Sequence, residues 1–471
     1  MPQTSSPTAS SSSSFHVRSA IIGVLAATAG LMSGLDIGVI SGALDFVAKD
    51  FNASTLAQEW IVSAMMAGAA IGAITAGWLA RATGRKWSLV LSGVIFILGS
   101  VGCACAWSVA SMICGRALMG LAIGIAAFTS PLYLSEIASE KTRGAMISTY
   151  QLMITVGIFL AFMSDTLFSY HGQWRWMFGV IALPGVLFVA GVLFLPYSPR
   201  WLMMRGRRAE AHSVLSDLRP DSHDTEAEIQ AIDTQLKQRQ GGFALLRANK
   251  NFRRSIALGI LLQVMQQFAG INVVMYYAPK IFALAGFVGT AQLWCTAIVG
   301  LVNVLATIAA VGLVDRWGRK PILYTGFTTM TLALGALAWL NHTGMETQAA
   351  KFLCVGLIML FIVAHAMSAG PIMWVLCSEI QPIKGRDLGI TISTLTNWVS
   401  NMVVGASFLS ILNWLGGANT FTLMASLNAL FLALTFWFVP ETRGASLEQI
   451  EQNLMQGKRL RDIGQHTGQH A

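Results

Sequence analysis

The sequence predicts an all-α membrane protein whose twelve transmembrane helices form two pseudo-symmetric six-helix bundles. Three observations support this fold class. First, the 471 residues are 54% hydrophobic and only 11% charged, and the mean hydropathy of +0.60 is typical of polytopic membrane proteins. Second, twelve apolar runs are long enough to cross a bilayer. Third, short motifs of the first half return at corresponding places in the second half.

The first half of the chain begins with a Ser-rich segment, residues 1–18, which we expect to be a disordered cytoplasmic tail. The first apolar run is too long for the hydrophobic region of a signal peptide, so we expect it to remain as a helix. The N-terminal bundle is predicted at residues 19–195, with spans at Ser19–Phe46, Glu59–Ala80, Trp87–Ala106, Val109–Leu134, Ala145–Phe168 and Met177–Leu195.

A polar segment of mixed charge, residues 196–254, is predicted to be a cytoplasmic linker with short helices. The C-terminal bundle is predicted at residues 255–439, and residues 440–471 form a polar cytoplasmic tail. Its spans are expected at Ser255–Ala285, Gln292–Val314, Pro321–Leu340, Lys351–Glu379, Leu388–Leu412 and Phe421–Val439.

The basic residues predict the orientation of the chain. They concentrate in the loops after the second, fourth, eighth and tenth spans, in the linker and in the C-terminal tail. Because such loops stay in the cytoplasm, both termini are predicted to be cytoplasmic. The same placement explains the net charge of +9 without a nucleic-acid partner. The six cysteines show neither disulfide nor zinc spacing, so no metal site is expected.

Three motifs repeat between the halves. Pro196–Trp201, after the sixth span, is echoed by Pro440–Gly444 after the twelfth. Gly84–Lys86, after the second span, returns as Gly318–Lys320 after the eighth. An acidic and a basic residue seven apart follow the fourth span and again the tenth. Two parallel repeats with a site between them are the arrangement of many secondary transporters.

The segment Leu262–Lys280 carries amides and phenols inside an apolar span. On a straight helix Gln263, Gln266 and Gln267 share one side, whereas Asn272 and Tyr276 fall roughly opposite. A break at Ala269-Gly270 would turn both sets towards one cavity, and glycine tolerates such a break. Uncharged amides suit a neutral solute that is rich in hydroxyl groups. Hydrogen bonding between packed helices is the alternative explanation.

Asp36 is the one carboxylate that we identify deep inside a predicted span, where an ionisable group is costly and usually functional. It projects away from a stripe of glycines spaced four apart, which allows another helix to approach closely. Arg116 is its natural partner. A carboxyl that alternates between burial and a neighbouring cation can take up and release a proton. A static buried ion pair is the alternative.

These motifs together, over nearly the whole chain, resemble the sugar porter family of the major facilitator superfamily. The stretches that carry the resemblance are Gly34–Gly42, Gly84–Lys86, Pro131–Glu136, Pro196–Trp201, Gln266–Tyr277, Asp315–Lys320, Gly370–Trp374 and Pro440–Gly444. Within that family, Tyr133–Ile137, Asn251–Phe287 and Trp374–Arg386 are most similar to bacterial galactose–proton symporters, with arabinose–proton symporters next. The chain departs from the family pattern at Ser33, Arg81 and Tyr197.

The resemblance implies a monomeric importer in the cell inner membrane that carries a monosaccharide together with H⁺ by alternating access. D-galactose is the first expectation, with glucose possible as a second sugar. The proton gradient would drive transport without a cofactor. Arabinose or xylose symport, facilitated sugar diffusion and a non-transporting sugar sensor are the alternatives. An enzyme is not expected, because the chain contains no nucleotide-binding loop or nucleophile–base arrangement suited to one.

The resemblance also implies roles for particular residues. Asp36 would couple transport to the proton, with Arg116 as its partner. The residues expected to bind or line the sugar site are Gln151, Ile154, Gln266, Gln267, Asn272, Tyr276, Gly370, Trp374 and Asn397. The residues expected to act in gating are Arg85, Glu136, Arg143, Arg319, Glu379 and Arg386.

Overall fold

The computed structural model describes residues 10–138, 143–219, 224–237, 242–344 and 347–465, and the regular elements in these ranges are helices. The first six spans and the linker are formed by α1 (Ser10–Asp50), α2 (Thr55–Ala82), α3 (Arg85–Ala104), α4 (Val109–Ile137), α5 (Arg143–Ser169), α6 (Trp174–Val180), α7 (Ala182–Leu193), α8 (Pro199–Met204), α9 (Arg208–Leu218), α10 (Thr225–Lys237) and α11 (Gly242–Ala248). Helices α6 and α7 together make the sixth span, and α8 to α11 belong to the linker.

The second half is formed by α12 (Lys250–Phe268), α13 (Ile271–Leu284), α14 (Thr290–Trp317), α15 (Arg319–Thr343), α16 (Gln348–Met367), α17 (Ala369–Glu379), α18 (Arg386–Phe438) and α19 (Leu447–Met455). Helices α12 and α13 share one span, as do α16 and α17. Helix α18 is 53 residues long and breaks at Gly416, where φ is +74°, so it supplies the last two spans. The prediction of an all-helical twelve-span fold is confirmed.

Some boundaries differ from the predicted ones. Helix α1 begins at Ser10, inside the predicted tail, and α19 lies inside the predicted C-terminal tail. The tenth span breaks at Ser368, just before the Gly370-Pro371 pair at which proline would weaken the helix. The exact limits of the two bundles, the linker and the tails remain predictions.

Backbone-to-backbone contacts hold the first half together. The glycine stripe of α1 packs on α5, and a Cβ added at Gly34 would lie only 1.9 Å from the carbonyl oxygen of Ile154. Gly120 on α4 packs on α2 in the same way, with Met65 O at 1.9 Å from the added Cβ. Such close approach matters in a bilayer, where lipid is as apolar as the side chains and cannot drive helices together.

The two halves meet at the end of the molecule far from the linker, which we call the opposite end. There the Lys280 ammonium donates to Gln58 Oε1 at 2.5 Å and lies 3.3 Å from Asp45 Oδ1. The Ser410 N–H and hydroxyl donate to the two carboxylate oxygens of Glu59 at 2.6 and 2.8 Å. Among polar contacts whose partners are both described, those between the halves lie at this end. The halves are therefore fastened at the opposite end.

Candidate functional site

The seventh span breaks where the sequence predicts. Helix α12 ends at Phe268 and α13 begins at Ile271, with Gly270 between them in the left-handed region at φ +104°. Only glycine adopts this conformation without a steric cost. Across the break the Asn272 amide donates to Gln267 Oε1 at 2.5 Å. On a straight helix these side chains would point about 140° apart, so the break brings the two sets together.

The amides form a connected chain between helices. Asn397 on α18 donates to Gln266 Oε1 at 2.6 Å and to Gln263 Oε1 at 2.7 Å. Gln266 donates to the Gly370 carbonyl on α17 at 2.9 Å, and Gln267 donates to Gln266 at 3.4 Å. A hydroxylated ligand would therefore exchange amide–amide bonds for amide–hydroxyl bonds. Each such bond adds about 0.5–1.5 kcal/mol net, which favours weak, readily reversible binding.

The remaining predicted sugar-site residues differ in exposure. Gln151 is exposed, and Phe162, eleven residues further along nearly the same side of α5, contacts Gly300 of the second half. The side of α5 that carries Gln151 therefore faces the second half. Trp374 is 38% exposed. Tyr276 is fully buried and accepts a hydrogen bond from Asn401 at 3.1 Å, so it does not line open space in this conformation.

Two other predicted lining residues, Ile154 and Gly370, are half-buried. A role in sugar binding stays a prediction for the whole set. Asn401 was not included in the predicted site, although it lies one turn beyond Asn397. The sequence could have identified Asn401 by its spacing of four residues from Asn397, which puts both amides on one face of the helix.

Asp36 and Arg116 form the predicted ion pair, and neither side chain is accessible. The Arg116 guanidinium donates to Asp36 Oδ1 and, from Nε, to the Ile61 carbonyl at 3.3 Å. Asp36 Oδ2 and Arg116 Nη2 have no hydrogen-bond partner among the described residues. The pair is thus buried but incompletely satisfied, which is costly for charged groups.

Asp36 is not the only buried carboxylate in the predicted spans, although the other two lie near span ends. Asp165 on α5 and Glu59 on α2 are each 1% exposed. Asp165 Oδ2 accepts the Gly42 N–H at 3.2 Å, whereas Glu59 joins the halves as described above. Both lie within predicted spans, Glu59 at the very start of one. The feature of the sequence that could have identified them is an acidic residue inside an apolar run.

At the linker end of the first half, Arg85 donates two hydrogen bonds to Glu136, at 2.9 and 2.7 Å. The Ser198 hydroxyl donates to the same carboxylate at 2.5 Å. Ser198 was not among the residues predicted for this cluster. It lies just after the sixth span, in the motif that the second half echoes after its last span.

The second half repeats this arrangement. Arg319 donates to Glu379 at 2.9 Å, and the Thr442 hydroxyl donates to the same carboxylate at 2.5 Å. Arg386 is not the partner of Glu379, and its Nε has no partner in the described part of the chain. The side chain of Arg143 lies outside the described residues. Each cluster joins two helices of one half to the segment that follows the last span of that half. A gating role for these residues stays a prediction.

Tyr197 is one of the positions at which the chain departs from the family pattern. Its ring stacks on Trp201, with centroids 5.5 Å apart. The Lys86 ammonium and the Arg207 guanidinium lie 5.4 and 5.6 Å from the ring centroid. The negative face of the aromatic ring attracts such cations.

Two pseudo-symmetric halves of six spans, with a chain of amides and a buried ion pair among their helices, define a secondary transporter of the major facilitator fold. Residues 22–454 match the model of the family described as sugar (and other) transporter. The chain belongs to this family.

Relatives and solved structures agree with this assignment. The chain is 56% identical to the galactose-proton symporter of Escherichia coli K12 over 443 residues, which cover 94% of this chain and 96% of that protein. It is 53% identical to the arabinose-proton symporter of the same strain, over 94% and 95% of the two chains. The inward-open xylose transporter of E. coli superposes with a TM-score of 0.80 at 27% identity, covering 92% of this chain and 99% of that one.

Proposed function

We propose that this protein is a monosaccharide–proton symporter that works by alternating access. The observation that carries the proposal is the Asp36–Arg116 pair, an inaccessible acid and base between α1 and α4. A facilitator that moves only sugar has no need of a carboxyl in this position. The chemistry of the pair suits reversible protonation, because a proton on Asp36 releases Arg116 from its charge partner.

Alternating access requires the two halves to part at one end and close at the other. The polar contacts through Lys280 and Glu59 support closure at the opposite end in this conformation. By the positive-inside rule the linker end faces the cytoplasm, which places both termini there. In this proposal the conformation is closed on the side away from the cytoplasm. The names of the bacterial relatives favour the inner membrane as its location.

D-galactose is the first substrate to test, because the relative that is 56% identical is a galactose-proton symporter. Arabinose comes next, since an arabinose-proton symporter is 53% identical. Asn397 and Gln266 of the amide chain offer both donors and acceptors, which a sugar hydroxyl requires. The proposed site lies within one chain, so a monomer suffices for transport.

The test is uptake of labelled sugars into proteoliposomes with an imposed proton gradient, with and without a protonophore. We expect galactose to accumulate only while the gradient persists. Asp36→Asn should abolish accumulation but leave exchange of internal for external sugar. Asp50→Asn is the matched control, because Asp50 pairs with Arg175 at the surface and both side chains are about half exposed. Accumulation by Asp36→Asn would contradict the assignment of the proton site.

A further inference from the structure

The break in the seventh span leaves a carbonyl group that needs a partner. A carbonyl at the end of a helix has no N–H donor from its own helix. Ala269, the residue after α12, is fully buried, so its carbonyl lacks bulk water as an alternative. The Asn428 amide of α18 donates to this carbonyl at 3.0 Å. One side chain of the twelfth span thus satisfies the group that the break exposes.

The orientation of the Asn428 amide is determined by its surroundings. Its Nδ2 also donates to the Met424 carbonyl one turn back on α18, at 2.9 Å. A flipped amide would direct its oxygen at two carbonyl oxygens, which is unfavourable. The Oδ1 atom is buried without a partner among the described residues. Burying Oδ1 without a partner is unfavourable, whereas both N–H groups of Asn428 donate hydrogen bonds.

The same face of α18 packs on the glycine of the break. A Cβ added at Gly270 would lie 2.3 Å from Met424 Cε. Met424 and Asn428 are one helical turn apart, so one stacks on Gly270 while the other bonds to Ala269. The break is thus held by two adjacent side chains of the last span.

The break determines which way the amides of the seventh span point. Gln266 and Gln267 precede it and Asn272 follows it, and the bond between Asn272 and Gln267 exists only because the helix is interrupted. We propose that Asn428 is a positioning residue for the sugar site, which keeps the two sets of amides facing the same space by satisfying the Ala269 carbonyl. It does not touch sugar in this scheme. The inference rests on the proposed function.

The test compares Asn428→Leu with Asn419→Leu in the full-length protein. Asn419 lies on the same part of α18 and donates to the Leu415 carbonyl four residues back, at 3.0 Å, but it is exposed. Both substitutions remove an amide of the same size from the same helix. Only Asn428 contacts the seventh span through its amide.

The readouts are equilibrium binding of D-galactose and the maximal rate of sugar exchange in proteoliposomes. Misalignment that removes one or two hydrogen bonds to the sugar corresponds to a roughly 5- to 50-fold rise in Kd. We expect this rise for Asn428→Leu, no change for Asn419→Leu, and a smaller effect on the maximal rate. Asn428→Gln keeps both donors on a longer side chain and should give an intermediate Kd.

A purely structural role would lower the yield or the thermal stability of Asn428→Leu while the folded fraction kept the wild-type Kd, and that result would overturn the proposal. An equal rise for Asn419→Leu would do the same. If Asn428→Leu does not fold, a wild-type Kd for Asn428→Ala, whose side chain has no hydrogen-bond donor, overturns the proposal. Failure of the wild-type protein to bind any sugar would instead refute the proposed function.

Discussion

Weakening the contact between Glu59 and Ser410 should open the opposite end of the molecule. Glu59 lies on α2 of the first half and is only 1% exposed. Its two carboxylate oxygens accept the Ser410 N–H at 2.6 Å and the Ser410 hydroxyl at 2.8 Å. Any movement that parts the halves at this end must break both bonds. They therefore favour the conformation closed at the opposite end.

The size of the shift between closed and open molecules follows from the two hydrogen bonds of Glu59. Glu59→Gln keeps the size of the side chain but replaces one carboxylate oxygen with an NH2 group. If the NH2 group faces the Ser410 N–H, that hydrogen bond is lost. If it faces the Ser410 hydroxyl, the hydroxyl must reorient to accept instead of donate. A hydrogen bond to a charged group contributes about 1.5–3 kcal/mol. Losing one such bond shifts the ratio of closed to open molecules by roughly 10- to 150-fold. Even a protein closed nearly all the time would then open measurably.

The assay is the distance between two spin labels in a cysteine-free background. Leu56 and Trp414 suit the labels, since they are 61% and 84% exposed and lie on different halves near this contact. We expect Glu59→Gln to enlarge the long-distance population. Glu210→Gln is the matched control, because Glu210 pairs with Arg207 on the exposed linker. Identical distance distributions for Glu59→Gln and the unsubstituted protein would refute the reasoning.

Three further substitutions have defined outcomes. Gly34→Ala places a Cβ 1.9 Å from a backbone oxygen of α5 and should lower stability by about 1–3 kcal/mol or more, measured as a lower melting temperature in detergent. The control Gly102→Ala, whose Cβ meets nothing within 4 Å, should leave the melting temperature unchanged. Ser198→Ala removes both the cap of α8 and a bond to a carboxylate, and should speed amide hydrogen exchange in α8 by at least about tenfold, while exposed Ser216→Ala should not. Asn397→Ala interrupts the amide chain and should raise the Kd for galactose by roughly tenfold, measured by equilibrium binding, and an unchanged Kd would remove Asn397 from the site.

Most of the fold could be predicted from local features of the sequence. Span number follows from the lengths of the apolar runs, because the bilayer requires about twenty apolar residues per helix. The break at Gly270 could be predicted because amides on opposite sides of one helix are acceptable only if the helix is interrupted. The pairing of Asp36 with Arg116 follows because a charge in a span requires a countercharge.

Other features depend on which helices become neighbours. The sequence does not indicate that Asn428 of the last span meets the carbonyl of Ala269, 159 residues earlier, or that Glu59 meets Ser410. Arg319 rather than Arg386 pairs with Glu379 because packing, and not spacing along the chain, sets that distance. Local composition determines what each segment must do with its polar groups in a membrane. Only the packed structure decides which partner satisfies each group, because a hydrogen bond forms within about 3 Å and sequence separation does not measure distance in space.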